Sequence, residues 1–179
     1  MDMRAAVGAH DVVVEIVRQA GGELTGKSRL FQAFYLAHLF YADAEPGYLT
    51  DWPIVRMPNG PGIDASDVLL GALQARGLLR VDTVPIGPYW AAAYKLVEKV
   101  ALPELPEAAT KAIREAVEFV KSRSAAEMTE LTHEYSRSWA EARDGQELNI
   151  YVDLIPDDAY ERRRLDLEAL DRRVLAAFK

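Results

Sequence analysis

The chain has 179 residues, half of them hydrophobic and 27% charged, the balance of one globular domain with a single sizeable core and not of a disordered chain. It carries no cysteine, which removes disulfides, thiolate metal sites and cysteine nucleophiles in one step and fits a reducing cytoplasm. A formal charge of −7 sets the chain as a whole against nucleic acid and anionic lipid, whose binding depends on clustered lysine and arginine, and suits a basic partner surface better.

Residues 1–6 lack the basic start and apolar run of a secretion signal, so a cytoplasmic location is expected. Over residues 11–20, Val12, Val13, Ile16 and Val17 alternate with Glu15 and Arg18 as an amphipathic helix that stops at Gly21 and Gly22. A second helix, capped by Thr25 or Ser28, is predicted through about residue 43. Leu30, Phe34, Ala37 and Tyr41 form one stripe on it and Phe31, Tyr35 and Leu39 another, so it must be surrounded. Its apolar stretch, residues 30–42 broken only by Gln32 and His38, falls well short of the roughly 20 residues that span a bilayer. His38 reads as a hydrogen-bonded core histidine.

From residue 45 to 64, Pro46, Gly47, Pro53, Pro58, Gly60, Pro61 and Gly62 exclude regular helix and mark a structured connection pinned by Trp52 and Ile54. Asn59, Gly60, Pro61 and Gly62 form a tight turn aiming the next helix. A phosphate loop is ruled out there by the missing Lys and Ser or Thr, and by a proline where an amide would be needed. A helix over 64–76 with Val68, Leu69 and Leu73 inward ends at Gly77 and is followed by a strand over 78–81, turn residues 85–88 and a strand over 91–97. Helix, glycine, strand, turn and strand outline a winged-helix unit with a β-hairpin wing, with Tyr89 and Trp90 at or beside its tip.

After Leu102 and Pro103, a helix over 106–122 turns Ile113, Val117 and Val120 inward and should pack as a hairpin against the helix that follows. That next helix starts at Ser124, whose hydroxyl is placed to accept from the Glu127 amide while the Glu127 carboxylate returns to the Ser124 amide. Met128, Leu131 and Thr132 share one face of it, over which His133 and Trp139 are expected to close as a structural corner. Residues 148–152 are a short strand or an extended arm ended by Pro156. The segment 157–178 is a charged amphipathic helix with Leu167, Leu170, Val174 and Phe178 on one face and Arg162, Arg163 and Arg164 among Asp158, Glu161, Asp166 and Glu168. It is a solvated helix or a partner-docking one, and a homodimer through it is compatible with the pattern. The expected fold is mainly α: a single helical domain over 1–179, core about 10–155, with a winged-helix-like β-hairpin and a C-terminal amphipathic helix.

Only His10, His38 and His133 are available, far apart in sequence and in no metal-ligand spacing, so neither a metal nor a cofactor is expected. His133 and Glu134 are adjacent on a helix and diverge by about 100°, so they make no dyad by themselves, and a hydrolase or transferase would use His133 with a carboxylate such as Glu134 or Asp153 brought to it by the fold. DNA binding by the wing is disfavoured, because the preceding helix offers Asp64, Asp67, Gln74 and Arg76 and the tip is aromatic. A transcription regulator would require a basic face assembled from Lys27, Arg29, Arg56, Arg76 and Arg80.

Three segments, in order and at matching spacing over about residues 10–155, carry a resemblance. Residues 30–37, with Leu30 and Tyr35, resemble the Leu-x-x-Leu-Leu-Tyr-x-Ala helix of the Panacea domain, the SocA-like antitoxin family. Gly60 and Pro61 are similar to that family's aromatic-Gly-Pro-Val turn, although Asn59 replaces the aromatic and Gly62 the valine, and Ala33 stands where a larger apolar residue is common. Ser124, Leu131, Thr132 and His133, with Trp139 downstream, are similar to its Leu-Ser-x-Leu-Thr-His and Trp. The resemblance implies a mostly helical, non-enzymatic protein-interaction module. It would be the antitoxin of a toxin–antitoxin pair or a prophage-associated protein that neutralises a toxin or passes it to a chaperone-protease. No catalytic residue is carried over, and Tyr89 and Trp90 are the expected partner-binding residues.

Overall fold

The computed structural model describes residues 6–45, 47–97, 101–102 and 104–177; Pro46, Pro103 and Phe178 lie outside them. The chain is mainly helical with two small antiparallel sheets. Helix α1 (Ala9–Gln19) buries Val12, Val13, Ile16 and Val17, and it ends where the Gly22 N–H donates to the Val17 carbonyl at 2.9 Å. Strand β1 (Glu23–Thr25) follows, too short to show an alternating pattern. Helix α2 (Lys27–Ala44) is buried through Leu30, Phe31, Ala33, Phe34, Tyr35 and Ala37, and α1 and α4 (Glu107–Lys121) pack along it. Its N-cap is Gly26, with no side-chain cap from Thr25 or Ser28. The Gly26 N–H donates to the Ala92 carbonyl at 2.8 Å, so the chain turns from sheet directly into helix at φ 105, a left-handed backbone that favours glycine.

The proline- and glycine-rich connection contains a hairpin, β2 (Ile54–Met57) and β3 (Gly60–Ile63), pairing Met57 with Gly60 and Arg56 with Pro61. The tight turn expected over residues 59–62 is corrected: the chain turns at Pro58 and Asn59, and Gly60, Pro61 and Gly62 belong to strand β3, where proline and glycine hide the alternation that marks a strand. Helix α3 (Ser66–Ala75) buries Leu69, Leu70 and Leu73, but Val68 is 65% exposed, because it lies about 100° around the helix from Leu69. Strands β4 (Leu79–Ile86) and β5 (Tyr89–Leu96) are longer than their apolar runs suggest, turning at Gly87 and Pro88, and pair in the order β1-β5-β4.

Ile113, Val117 and Val120 of α4 face the core, yet α4 and α5 (Ala125–Tyr135) do not form the expected helical hairpin. Helix α4 lies along α2 and α1, whereas α5 buries only Met128 and Thr132 and uses them against β3 and α2. After α6 (Arg137–Glu141), residues 146–148 run as an extended arm beside β2, with the Leu148 N–H donating to the Ile54 carbonyl at 2.8 Å. The strand alternative ends there, because the chain winds into a 3-10 turn (Ile150–Leu154) that buries Ile150 and Val152. Helix α7 (Asp157–Ala177) buries no described residue; Arg164 pairs with Glu161 and Glu168, while Leu167, Leu170 and Val174 stay exposed. Among the described residues no helix is long and apolar enough to cross a membrane.

His38 is buried on α2, and its Nδ1 donates to the Phe34 carbonyl at 2.7 Å. Burial pushes its pKa down to about 4, outweighing the pull of the Phe34 and Thr50 backbone carbonyls toward the charged form. The unfolded chain takes up this proton near pH 6.5 and the folded one only near pH 4, so the stability due to neutral His38 is complete above pH 6.5 and is lost as pH falls between the two. Denaturant titrations should show unfolding free energy falling by up to about 3 kcal/mol more across that window in the parent than in His38→Gln. Equal pH slopes in the two proteins would refute the assignment.

Candidate functional site

The central helix carries polar side chains that must be satisfied where they are buried, and their partners come from about 100 residues away. The Gln32 amide donates to Thr132 Oγ1 at 2.9 Å, and Thr132 donates in turn to the Met128 carbonyl at 3.0 Å. Gly60 sits against this pair at φ 143, where a Cβ would meet the Gln32 amide nitrogen at 2.6 Å. Farther along α2, the Tyr35 hydroxyl donates to the Asp153 carboxylate at 2.6 Å. The same carboxylate accepts from the Ser138 hydroxyl at 2.6 Å, the Ser138 N–H at 2.9 Å and the Ser136 hydroxyl at 3.3 Å. Burial, then the Asp153 charge, drives the Tyr35 phenol far above its ordinary range, so it stays a donor.

Beside this network Trp139 joins α6 to the β2–β3 hairpin, its indole N–H donating to the Met57 carbonyl at 2.8 Å. The Arg56 guanidinium lies 3.8 Å from the centre of the Trp139 ring and donates to the Trp139 and Ala142 carbonyls and to Asp144. The His133 ring stacks on Trp139 at 4.4 Å and 22°. Instead of closing over the buried Met128 and Thr132 face, His133 is exposed, because it lies one residue around the helix from Thr132. It is not paired with a carboxylate: Asp153 is held by Tyr35, Ser136 and Ser138, and Glu134 faces the Tyr135 hydroxyl.

The residues of the sequence motifs therefore meet around one side of α2. Tyr35, Gly60, Thr132, His133 and Trp139 belong to this belt; Leu30 and Pro61 are buried beside it, and Leu131 is half-buried. Ser124 caps α5 as its spacing implies, with the Ser124 N–H donating to Glu127 at 2.6 Å and the Glu127 N–H to the Ser124 hydroxyl at 3.2 Å. Those bonds hold the Glu127 carboxyl below its usual range. Ser136 and Ser138 were not singled out by sequence; a polar Gln, Tyr and His in an otherwise apolar helix was the signal that partners were needed. Chemically the belt is an arrangement of satisfied hydrogen bonds that fixes backbone positions.

The second feature is the far end of the β4–β5 hairpin. Strand β1 pairs with Ala93, Tyr94 and Lys95 and the Gly26 N–H holds the Ala92 carbonyl, so residues 84–91 project as a two-stranded arm. Tyr89 is 75% and Trp90 71% exposed, so neither folds back onto the domain. Ile86 opposes Tyr89 and Pro85 opposes Trp90 in the register, which makes the tip apolar on both faces. Nearer the sheet, Asp82 pairs with Arg80 at 3.1 Å and Lys95 at 3.4 Å. Of the other cations considered for a basic face, Arg29 reaches the Thr25 and Arg123 carbonyls and Arg56 is committed to Trp139. Among the described residues no group of three or more His, Asp or Glu could hold a metal ion.

No protein-family model matches the chain, and no match was found among curated proteins or solved structures.

Two substitutions test the belt. Gly60→Ala should cost about 2 kcal/mol through backbone strain and displacement of the Gln32 amide. Asp153→Ala should cost about 3 kcal/mol, since it orphans the buried Tyr35 and Ser138 donors, against about 1 kcal/mol for Tyr35→Phe. Chemical denaturation measures all three, and an Asp153→Ala protein as stable as Tyr35→Phe would remove the carboxylate from the centre of the network.

Proposed function

We propose that this chain is a non-enzymatic protein-interaction module, an antitoxin or prophage-associated protein of the Panacea kind, which binds and neutralises a partner toxin through the projecting hairpin. The observation that carries the reading is the exposed tip. Two aromatic side chains and an isoleucine stand in water at the end of an arm, an arrangement that costs solvation free energy unless a partner covers it. Tyrosine and tryptophan dominate protein–protein interfaces because they bury much area with few rotatable bonds. The formal charge of −7 favours a basic partner and speeds its encounter. The motif resemblance supplies the class of partner, a toxin, and the prospect of delivery to a chaperone-protease. Residence in the cytoplasm, where such a partner would act, belongs to the same reading.

A winged-helix DNA-binding regulator is the second reading, and one observation favours it. The order α1, β1, α2, then α3, β4, β5, with the sheet arranged β1-β5-β4, supports this reading, the β2–β3 hairpin then being an insertion. Charge argues the other way. The outer face of α3 presents Asp67 and Val68 as well as Gln74 and Arg76, and Arg80 is neutralised by Asp82.

Co-expression with the product of the neighbouring reading frame tests the first reading through growth rescue and co-purification. Tyr89→Ala/Trp90→Ala should abolish both while leaving the unfolding free energy within about 0.5 kcal/mol of the parent, since both rings are solvent-exposed. Retained rescue in the double variant would reject the hairpin as the contact. Absence of toxicity and complex, together with DNA affinity that falls steeply with added salt, would favour the regulator.

A further inference from the structure

Helix α7 leaves the domain from a clasped start. The Arg137 guanidinium donates to the Ile155 carbonyl at 2.6 Å, pairs with Asp157 and lies 4.4 Å from the centre of the Tyr160 ring, whose hydroxyl donates to Glu141. Past this clasp no described residue of α7 is buried, and Leu167, Leu170 and Val174 are 51%, 51% and 47% exposed. Together with Arg163 and Ala177 they recur at alternating spacings of four and three, so they share one narrow stripe; Leu165 and Leu175 lie outside it. A stripe of that width and period is the seam of a two-helix coiled coil, narrower than the face a helix lays on a core.

The charges beside the stripe decide what can cover it. Arg164 and Asp171 run along one edge, Asp166 and Arg173 along the other. Arg164 is oriented by Glu161 and Glu168 of its own helix at 3.0 and 2.5 Å, whereas Asp166, Asp171 and Arg173 form no ion pair among the described residues. A second copy laid antiparallel, Leu167 against Leu170, brings Arg163 against Val174, Arg164 against Asp171 and Asp166 against Arg173, and two-fold symmetry repeats each contact. A parallel copy in register brings Arg163 against Arg163 and Asp166 against Asp171, like charges both in the seam and at its edge. Over residues 157–177 the helix carries six carboxylates and five arginines, a balance that gives an anionic membrane no purchase.

We propose that α7 is a self-association element, pairing with the α7 of a second copy of this chain as an antiparallel two-helix coiled coil. Leu167 and Leu170 of both copies fill the centre of the seam. Val174 packs on the methylene stem of the second copy's Arg163, whose guanidinium stays in water at the edge. The seam is only about four turns long, so monomer and dimer exchange with concentration. Neither the hairpin tip nor the motif belt takes part, and the assignment stands or falls apart from the partner proposed for the tip.

Sedimentation equilibrium of the full chain over a concentration series tests the seam, and the mass should rise from 19.9 kDa toward twice that value. Leu170→Glu sets a carboxylate in both central layers and should weaken the dimer by at least about tenfold. Domain unfolding should not change in that variant, because Leu170 touches no core residue. Asp166→Arg should weaken the dimer about tenfold by facing Arg173 with a like charge, and Asp166→Arg/Arg173→Asp should restore it. Tighter association of Asp166→Arg alone would overturn the antiparallel arrangement, since in a parallel pair the new arginine faces Asp171. A parent chain that stays at the monomer mass throughout, or a dimer that Leu170→Glu leaves intact, would overturn the assignment of α7.

Discussion

Most of this structure follows from the need to bury α2. A helix of 18 residues whose apolar side chains point in nearly every direction can be stable in water only inside a sleeve of other elements. Three of its buried side chains, Gln32, Tyr35 and His38, are polar, and each imposes a second requirement beyond apolar contact. His38 satisfies one nitrogen on its own helix, whereas Gln32 and Tyr35 take partners from residues 132–153. The C-terminal third of the domain is thereby tied to the centre at defined points and not simply laid over it.

That division of labour separates a scaffold from its surfaces. Asp153 gathers Tyr35, Ser136 and Ser138, and Trp139 and Arg56 join α6 to the β2–β3 hairpin, so side-chain bonds tie the α5–α6 corner to the hairpin. Networks of this kind lose little when complete and much when one member is removed, because the interior dielectric magnifies both the bonds and their absence. By contrast, the end of the β4–β5 hairpin and the whole of α7 make almost no use of the core. Apolar groups remain in water in these two places, and the hairpin tip concentrates its aromatic groups where a partner can reach them.

The helices were legible wherever the apolar period was clean. Val12, Ile16 and Val17 in α1, and Ile113, Val117 and Val120 in α4, are buried as their spacing implies, and Gly77 ends α3. The capping box at Ser124 and Glu127 was equally plain, since both hydrogen bonds close within four residues. Strands read less well. The three residues of β1 are too few to alternate, and Gly60, Pro61 and Gly62 conceal β3 behind turn-forming residues. Val68 was assigned inward because it is apolar, and nothing local distinguishes its position from that of Leu70 until the neighbours of α3 are in place.

The candidate surfaces divide in the same way. Residue counts gave the acid balance of the chain, and the turn residues 85–88 placed Tyr89 and Trp90 beside a hairpin tip, whereas their exposure was decided by the structure. The belt around α2 was not visible as a site: Gln32 and Tyr35 lie 100 and 118 residues from their partners Thr132 and Asp153, and hydrogen bonds of that range leave no spacing in a sequence. By itself the sequence determined where helices run, which faces are apolar and which groups would need partners. Only the tertiary structure decided which partners met those needs and which polar atoms were left without one, because that depends on how the sleeve closes around α2.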